Sequence, residues 1–436
     1  MAKILLSLHQ FFPDFYTGTE TLTLEYAHEL KKRGHTPVIL AADPLTCSPV
    51  PQLHRQTYEG FPVWRIVAPA PRSPLEHLKR ESYEAGLRNL YCRIIAEEHP
   101  DIVHIFHPMR LTASFAEIVK EKKIPLFFTL TDFWILCPFY QLIRHNGSLC
   151  TGPEASRCYS CILNEYTAGI KQPPLRFRLA KHFPKAASAV NKHVAESCRI
   201  LSRRIFRHKK MMQMFDGVFW SNPFMKDIFR KNGFEVRREK IIPFPVPEKA
   251  KDAFHLPPPP ADGPLRVSFI GTLRSSKGPQ VLLKAMRCIP ENVNIRLHVW
   301  GNPLDPHFME KLGNYADGDR RISFKGVFPQ EKFSAVLSET DVIVIPSLWY
   351  ENTPLTAITA LAARRILILS DLGGMSCLVK NGHNGFLFAP GNFRQLAEIL
   401  EKLAKETHLP GKLVSNIQLP GRVKEYADAV LPFYSE

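Results

Sequence analysis

Short apolar runs alternate with stretches of helical spacing along most of this chain. In the first third, "KILLSL" (3–8), "TPVILAA", "PDIVHIF" and "IPLFFTLT" read as buried strands. Between the first two, "TETLTLEYAHELKKRG" (19–34) puts Leu22, Tyr26, Ala27 and Leu30 on one helical face before Gly34 ends it. A second series opens at "LRVSFIG" (265–271) and continues through "IRLHVWG", "RISFKG", "DVIVIPS" and "ILILSD". Strand, helix, strand repeats of this kind specify a parallel sheet covered on both faces.

Two series imply two sheets, and 436 residues are too many for one ordinary core. Between them lies "FPVPEKAKDAFHLPPPPADGP", whose four consecutive prolines favour a stiff extended spacer. The sequence therefore predicts an α/β protein of two Rossmann-like, doubly wound parallel-sheet domains facing a cleft. The expected boundaries are 1–250, a linker at 251–264, a second domain at 265–412 and a closing amphipathic helix within 413–436. Ligands of open parallel sheets bind beyond the carboxyl ends of the strands, so the loops after the strands are where chemistry is expected.

The most apolar stretch, "LFFTLTDFWILCPFYQLI", carries Asp132 and Pro138 and does not read as a membrane span. The start suits a first strand better than a signal peptide, so a cytoplasmic setting with reduced thiols is expected. The net charge of +16 asks for an anionic partner. Its location is uneven: residues 171–210 hold twelve Lys or Arg and one acid, Glu196, a local surplus of +11.

Two loops of the second series stand out. After "DVIVIPS" comes Glu351, then Thr353 as an expected N-cap and Pro354 at the first helical position, where exposed amides and the helix dipole favour an anion. A carboxylate there can accept hydrogen bonds from sugar hydroxyls, or it can merely complement the dipole. In "FIGTLRSSKGP", Gly271 ends a strand and Arg274 and Lys277 precede Gly278 and a helix. Two cations on such a loop can neutralise a leaving diphosphate; on a loop taken alone they are as often solvated charges.

Together "FIGTLRSSKG", "ISFKGVF", "DVIVIPSLWYENTPL" and "SDLGGMSCLVKNGHNGFLFAPGN" resemble the nucleotide-binding domain of glycosyltransferase family four, the retaining GT-B enzymes also called glycosyl transferases group one. "FFPDFYTGTETLTLEYAHELKKRGHTPVIL" resembles that family's opening, so the likeness covers nearly the full chain. The resemblance implies that Lys277 and Arg274 hold the donor diphosphate at the loop after Gly271. It implies that Glu351 contacts donor sugar hydroxyls beside Asn352, Thr353, Pro354 and Leu355, and that Gly18 and Thr19 approach the donor phosphate from the N-terminal domain. The departing phosphate would assist deprotonation of the acceptor on the same face, and no cofactor would be required for catalysis.

Three positions depart from the family's pattern. Thr359 stands where a second glutamate would bind the nucleotide ribose, Cys377 stands where an acid is frequent, and Thr131 replaces a histidine before Asp132. Asp132 and His107 are the nearest polar substitutes for that histidine, and each also has a purely structural reading. Separately, Cys137, Cys150, Cys158 and Cys161 crowd into one short segment of a chain with nine cysteines. Their count matches a closed tetrahedral zinc site of structural role, with redox chemistry and simple packing as the alternatives.

In the basic segment, Val190, Val194, Leu201 and Ile205 recur at helical spacing among Arg and Lys, with Phe177 and Phe183 upstream. That pattern suits an amphipathic helix on anionic lipid, and no nucleic-acid-reading module accompanies it. The sequence thus predicts a retaining glycosyltransferase that uses a nucleotide-sugar donor. The expected acceptor is a glycan or a lipid-linked molecule at the cytoplasmic membrane face. The departures keep open a non-catalytic GT-B protein that binds sugar, nucleotide or another transferase, and more distantly a nucleotide-sugar epimerase.

Overall fold

The computed structural model describes residues 1–71, 85–167, 192–259 and 263–435, together with 76, 79, 80, 181–183, 185 and 187. The chain forms two units. The first comprises 1–221, 226–242 and 427–436, and the second 222–225 and 243–426.

The first unit is an eight-stranded sheet. Its strands are β1 (Lys3–Leu8), β2 (Thr36–Ala42), β3 (Gln52–Tyr58), β4 (Phe61–Val67), β5 (Ile102–Ile105), β6 (Leu126–Thr129), β7 (Gly217–Trp220) and β8 (Glu239–Ile241), in spatial order β3-β4-β2-β1-β5-β6-β7-β8. All pairings are parallel except β3 with β4. That hairpin turns through Glu59 and Gly60, both at positive φ, the geometry that matches the twist of a two-residue connection. Its outer strand, "QLHRQTY", is largely exposed and polar, which blunts the sheet edge. Helices α1 (Gly18–Lys32), α2 (Arg88–Glu98), α3 (Thr112–Glu121), α4 (Ala155–Thr167), α5 (Lys192–Met214) and α6 (Pro223–Lys231) connect the strands.

Helix α5 is the basic segment. Val194, Leu201, Met211 and Met212 are buried, and the helix packs on α3 and α4. Even part of its charge turns inward. Arg204 is buried and donates to the Trp134 carbonyl at 2.5 Å, and His208 meets the Ile135 carbonyl at 2.9 Å. The apolar stripe expected to meet lipid is therefore consumed by the protein's own packing, because four-residue spacing serves an internal neighbour as well as a membrane. Phe177 and Val190 lie outside the described residues.

The second unit is a six-stranded, wholly parallel sheet of β9 (Leu265–Ile270), β10 (Ile295–Trp300), β11 (Ile322–Gly326), β12 (Val342–Ile345), β13 (Ile366–Ser370) and β14 (Gly385–Phe388), ordered β11-β10-β9-β12-β13-β14. Helices α7 (Pro279–Cys288), α8 (Pro306–Ala316), α9 (Phe333–Ser338), α10 (Leu355–Ala362), α11 (Phe393–Lys405) and α12 (His408–Ser415) belong to it. Val267, Phe269, Leu297, Val344, Ile368 and Leu282 are among its fully or nearly fully buried core. A sheet covered on both faces needs such continuously apolar strands.

The domain boundary differs from the expected one. The chain enters the second unit at Pro243, before the proline run, and 248–255 form 3-10 turns with Ala250 and Ala253 buried. Buried Arg365 donates to the Pro257 carbonyl at 2.9 Å, so this stretch is packed rather than free. The expected closing helix is broken into α12, α13 (Val423–Val430) and α14 (Pro432–Ser435), with Pro420, Gly421 and Pro432 at the interruptions. From Ala427 onward the chain belongs to the first unit, where Tyr434 meets His104 at 2.5 Å and Tyr26 at 3.1 Å.

Candidate active site

In the second sheet β9 lies between β10 and β12, so strand order reverses there and the loops after β9 and β12 open side by side. The first carries Arg274 and Lys277, the second Glu351. Lys277 Nζ donates to Glu351 Oε1 at 2.6 Å. The same oxygen accepts from Trp349 Nε1 at 2.6 Å and from Ser347 Oγ at 3.0 Å. Three donors on one oxygen fix the carboxylate, whose side chain is 9% exposed, while the lysine retains 27%. The cations of Arg274 and Lys277 lie 5.7 and 5.2 Å from the centroid of the Trp349 ring, within reach of its π-system.

The backbone holds these loops together. Gly278, at φ +75°, approaches so closely that a Cβ would stand 1.9 Å from the Pro346 carbonyl oxygen. Leu348 N–H donates to the Ser276 carbonyl at 2.8 Å, tying the second loop to the first. Gly374 N–H donates to the Glu351 carbonyl at 2.8 Å. Asn222 Nδ2 donates to Asn352 Oδ1 at 2.7 Å and to Thr353 Oγ1 at 3.2 Å. Helix α10 begins at Leu355 with Pro354 as its cap and no side-chain capping bond, one residue later than expected for a Thr353 cap. Thr353 is instead engaged by Asn222. The helix start still leaves its first amides without intrahelical acceptors, a few residues after Glu351.

Lys277, Arg274, Gly271, Glu351 and Asn352 to Leu355 therefore fall on two adjoining loops, as carboxyl-end chemistry requires. Thr359 lies on α10 at 1% exposure, so it offers no open hydroxyl. Cys377 is exposed on the 3-10 turn Gly373–Leu378.

The first unit has its own polar group of residues at the ends of β1, β5 and β6. His107 Nδ1 accepts the Met109 amide at 3.2 Å, which leaves the proton on Nε2, 2.9 Å from Asp132 Oδ2. Asp132 Oδ1 accepts from Trp134 N–H at 2.8 Å, and the carboxylate remains 32% exposed. His9 packs against His107 in a tilted pair with ring centroids 4.1 Å apart. Burial, reinforced by His107 and Arg110, pushes His9 well below the ordinary imidazole range. Glu20, fully buried in the first turn of α1 beside Gly18 and Thr19, receives Thr17 Oγ1 on Oε2 at 2.5 Å. Its Oε1 stands 3.7 Å from His9 Nε2 and has no hydrogen-bond partner among the described residues. Thr131 Oγ1 donates to the Phe106 carbonyl, a structural bond. Motif reading missed His9, Glu20, Trp349, Ser347 and Asn222. Of these, Glu20 and Trp349 sit within two residues of predicted positions, whereas His9 and Asn222 become visible only through the strand order.

The model of the glycosyl transferases group 1 matches residues 251–419, and that of the glycosyl transferase 4-like domain matches 17–168. The D-inositol 3-phosphate glycosyltransferase of Corynebacterium glutamicum is 32% identical over 133 residues, covering 28% of this chain and 30% of that protein. The amylovoran biosynthesis glycosyltransferase AmsK of Erwinia amylovora is 24% identical over 226 residues, covering 50% and 53%. The chain thus spans about a third of the length of the first curated relatives it matches. Among solved structures, Anabaena Alr3699/HepE in complex with UDP and glucose aligns over 100% of both chains with a TM-score of 0.62 at 15% identity, which shows the same fold.

Proposed function

The chain belongs to the group 1 glycosyltransferases, the family-four enzymes of GT-B fold, and from that membership we propose that it transfers a sugar from a nucleoside diphosphate donor to an acceptor hydroxyl with retention at the anomeric carbon. The observation that carries this reading is the Lys277–Glu351 pair at the reversal point of the second sheet. A lysine ammonium has three donors, so one can hold Glu351 while others meet a diphosphate. Arg274 adds a second cation whose planar fork matches phosphate oxygens.

The bond from the anomeric carbon to the phosphate oxygen breaks, and the acceptor oxygen bonds to that carbon on the same face. The acceptor proton passes to the departing phosphate, whose charge Lys277 and Arg274 neutralise. Glu351 orients sugar hydroxyls. Within the first unit, His107 and Asp132, with Glu20, Gly18 and Thr19 nearby, form a polar edge suited to an acceptor hydroxyl. Uridine diphosphate in HepE supports a nucleotide donor of this class.

A peripheral location on the inner membrane face, with a glycan or lipid-linked acceptor, is supported by the outer side of α5. Arg199, Arg203, Phe206 and Lys210 follow one another at four-, three- and four-residue steps and are exposed, Phe206 by 58%. Lys210 sits 4.7 Å from the Phe206 ring. Such a stripe suits an anionic headgroup layer. No helix among the described residues is long and apolar enough to cross a membrane.

The test is turnover of a panel of nucleotide sugars, following release of nucleoside diphosphate, with the anomeric proton coupling of the product recorded by NMR. Release with retained configuration is expected. Tight nucleotide binding without release from any donor would favour a non-catalytic sugar- or nucleotide-binding protein instead.

A further inference from the structure

The loop after Asp132 builds a small module from a turn, a hairpin and a helix start. The Cys137 amide donates to the Phe133 carbonyl at 2.8 Å, and Tyr140 and Leu142 adopt positive φ as the chain reverses. An antiparallel bridge joins Ile143 to Leu149, and the Cys150 amide then donates to the Leu142 carbonyl at 2.7 Å. Five residues later α4 begins, and it carries Cys158 and Cys161 one turn apart on one face. All four cysteines are free of disulfides and line one cavity of about 20 Å³ together with Leu142 and Arg157.

Three observations say what such a cavity takes. The module's helix meets α5 through two small apolar clusters, Ile200 and Leu201 with Ala155, Cys158, Tyr159 and Ile162, and Leu163 and Val194 with Tyr159. A segment this short is ordinarily stapled by a metal or a disulfide. Second, all four thiols are half-buried around that one cavity and none is joined in a disulfide. Third, the sulfurs face donors and positive charge. The amides of Phe139 and Leu142 serve Cys137, that of His145 serves Cys161, and the guanidinium groups of Arg204 and Arg144 lie close enough to offset a thiolate cluster. Among the described residues no group of three or more His, Cys, Asp or Glu side chains stands arranged to hold a metal ion, so ligation requires the four sulfurs to move together. The four sulfurs are gathered around one cavity, and ligation would draw them inward as they deprotonate.

We propose that Cys137, Cys150, Cys158 and Cys161 bind one zinc ion and so hold the turn, the hairpin and α4 together beside Asp132. Four thiols and one Zn²⁺ give a tetrathiolate complex of net charge −2 and release four protons, with no change of oxidation state. The proposal does not depend on the transfer reaction, and its test reads metal rather than activity.

The full chain is purified from zinc-supplied cells in buffer without chelator, and its metal content is measured by plasma mass spectrometry. About one zinc per chain is expected. Stripping with a chelator should expose four additional thiols to a chromogenic disulfide reagent and lower the unfolding temperature, and readdition of zinc should reverse both. The double substitution Cys158→Ser with Cys161→Ser should abolish stoichiometric zinc, whereas Cys288→Ser should not. Zinc far below one per chain in the folded wild type would overturn the proposal. So would identical thiol counts before and after chelation, a measurement that needs no variant to fold.

Discussion

Lys277 and Glu351, 74 residues apart in the chain, meet at 2.6 Å where the second sheet reverses its strand order. Each holds the other at the edge of a helix start, so the cation is aimed before any donor arrives. Lys277→Ala is expected to lower kcat by about 10²–10³-fold, the scale of losing one preorganised charge at a developing anion. Donor turnover with circular dichroism as a folding control checks this, and unchanged turnover would remove Lys277 from the chemistry. Glu351→Gln keeps an oxygen for Trp349, Ser347 and Lys277 but removes the negative charge that holds the lysine, and it should raise KM for the donor.

Asp132 receives the Nε2 proton of His107 at 2.9 Å. Asp132→Asn substitutes an acceptor-and-donor amide for an acceptor-only carboxylate, so His107 loses its fixed tautomer or its partner. A fall in kcat of about 10²-fold with little change in donor affinity is expected. Equal kcat in the two proteins would assign the pair a purely structural role.

Burial lowers His104 to about 3 and pushes His208 and His9 down in the same direction. Between the unfolded imidazole value of about 6.5 and these folded values the unfolded chain binds more protons. The stability from neutral burial is therefore complete above about pH 6.5 and declines as pH falls toward 3, by about 1.4 kcal/mol per pH unit for each such group. Urea midpoints between pH 7.5 and 5 should fall on acidification, and His104→Gln should make that slope shallower.

Gly278 occupies left-handed backbone with no room for a methyl group beside the Pro346 carbonyl. Gly278→Ala should cost about 2–4 kcal/mol and separate the two loops. Differential scanning calorimetry and nucleotide titration would report lower stability together with weakened donor binding. A variant with native stability would show that the loops tolerate separation.

Charge reversal on the outer side of α5, Arg203→Glu with Lys210→Glu, should reduce flotation with phosphatidylglycerol-rich vesicles by more than about tenfold at physiological salt. Donor hydrolysis in solution should remain unchanged. If flotation were equal, the surplus positive charge would serve something other than a lipid surface.

Sequence patterning locates the strands that are wholly apolar, such as β1, β9 and β12, because both of their faces are covered. It passes over β3, whose polar residues lie at an exposed edge, and β7, which follows directly on the long basic helix. Glu351 and Lys277 are legible because each stands beside a glycine or proline that punctuates a strand end. Glu20 and His9 are not, since a buried acid and a buried imidazole acquire meaning only from neighbours brought in by other strands. The basic helix shows the converse error. Its spacing was readable, but the choice between an outer and an inner partner for Leu201 depends on α3 and α4.

The anchoring of Tyr434 against His104 and Tyr26 bears on biogenesis. The first sheet forms from segments translated early, yet the rings that cover His104 and Phe219 emerge from the ribosome only after the whole second unit. Its last packing step therefore waits until the second unit has been translated, and a nascent chain stalled before Tyr434 would carry an incompletely covered sheet, a ready target for a chaperone.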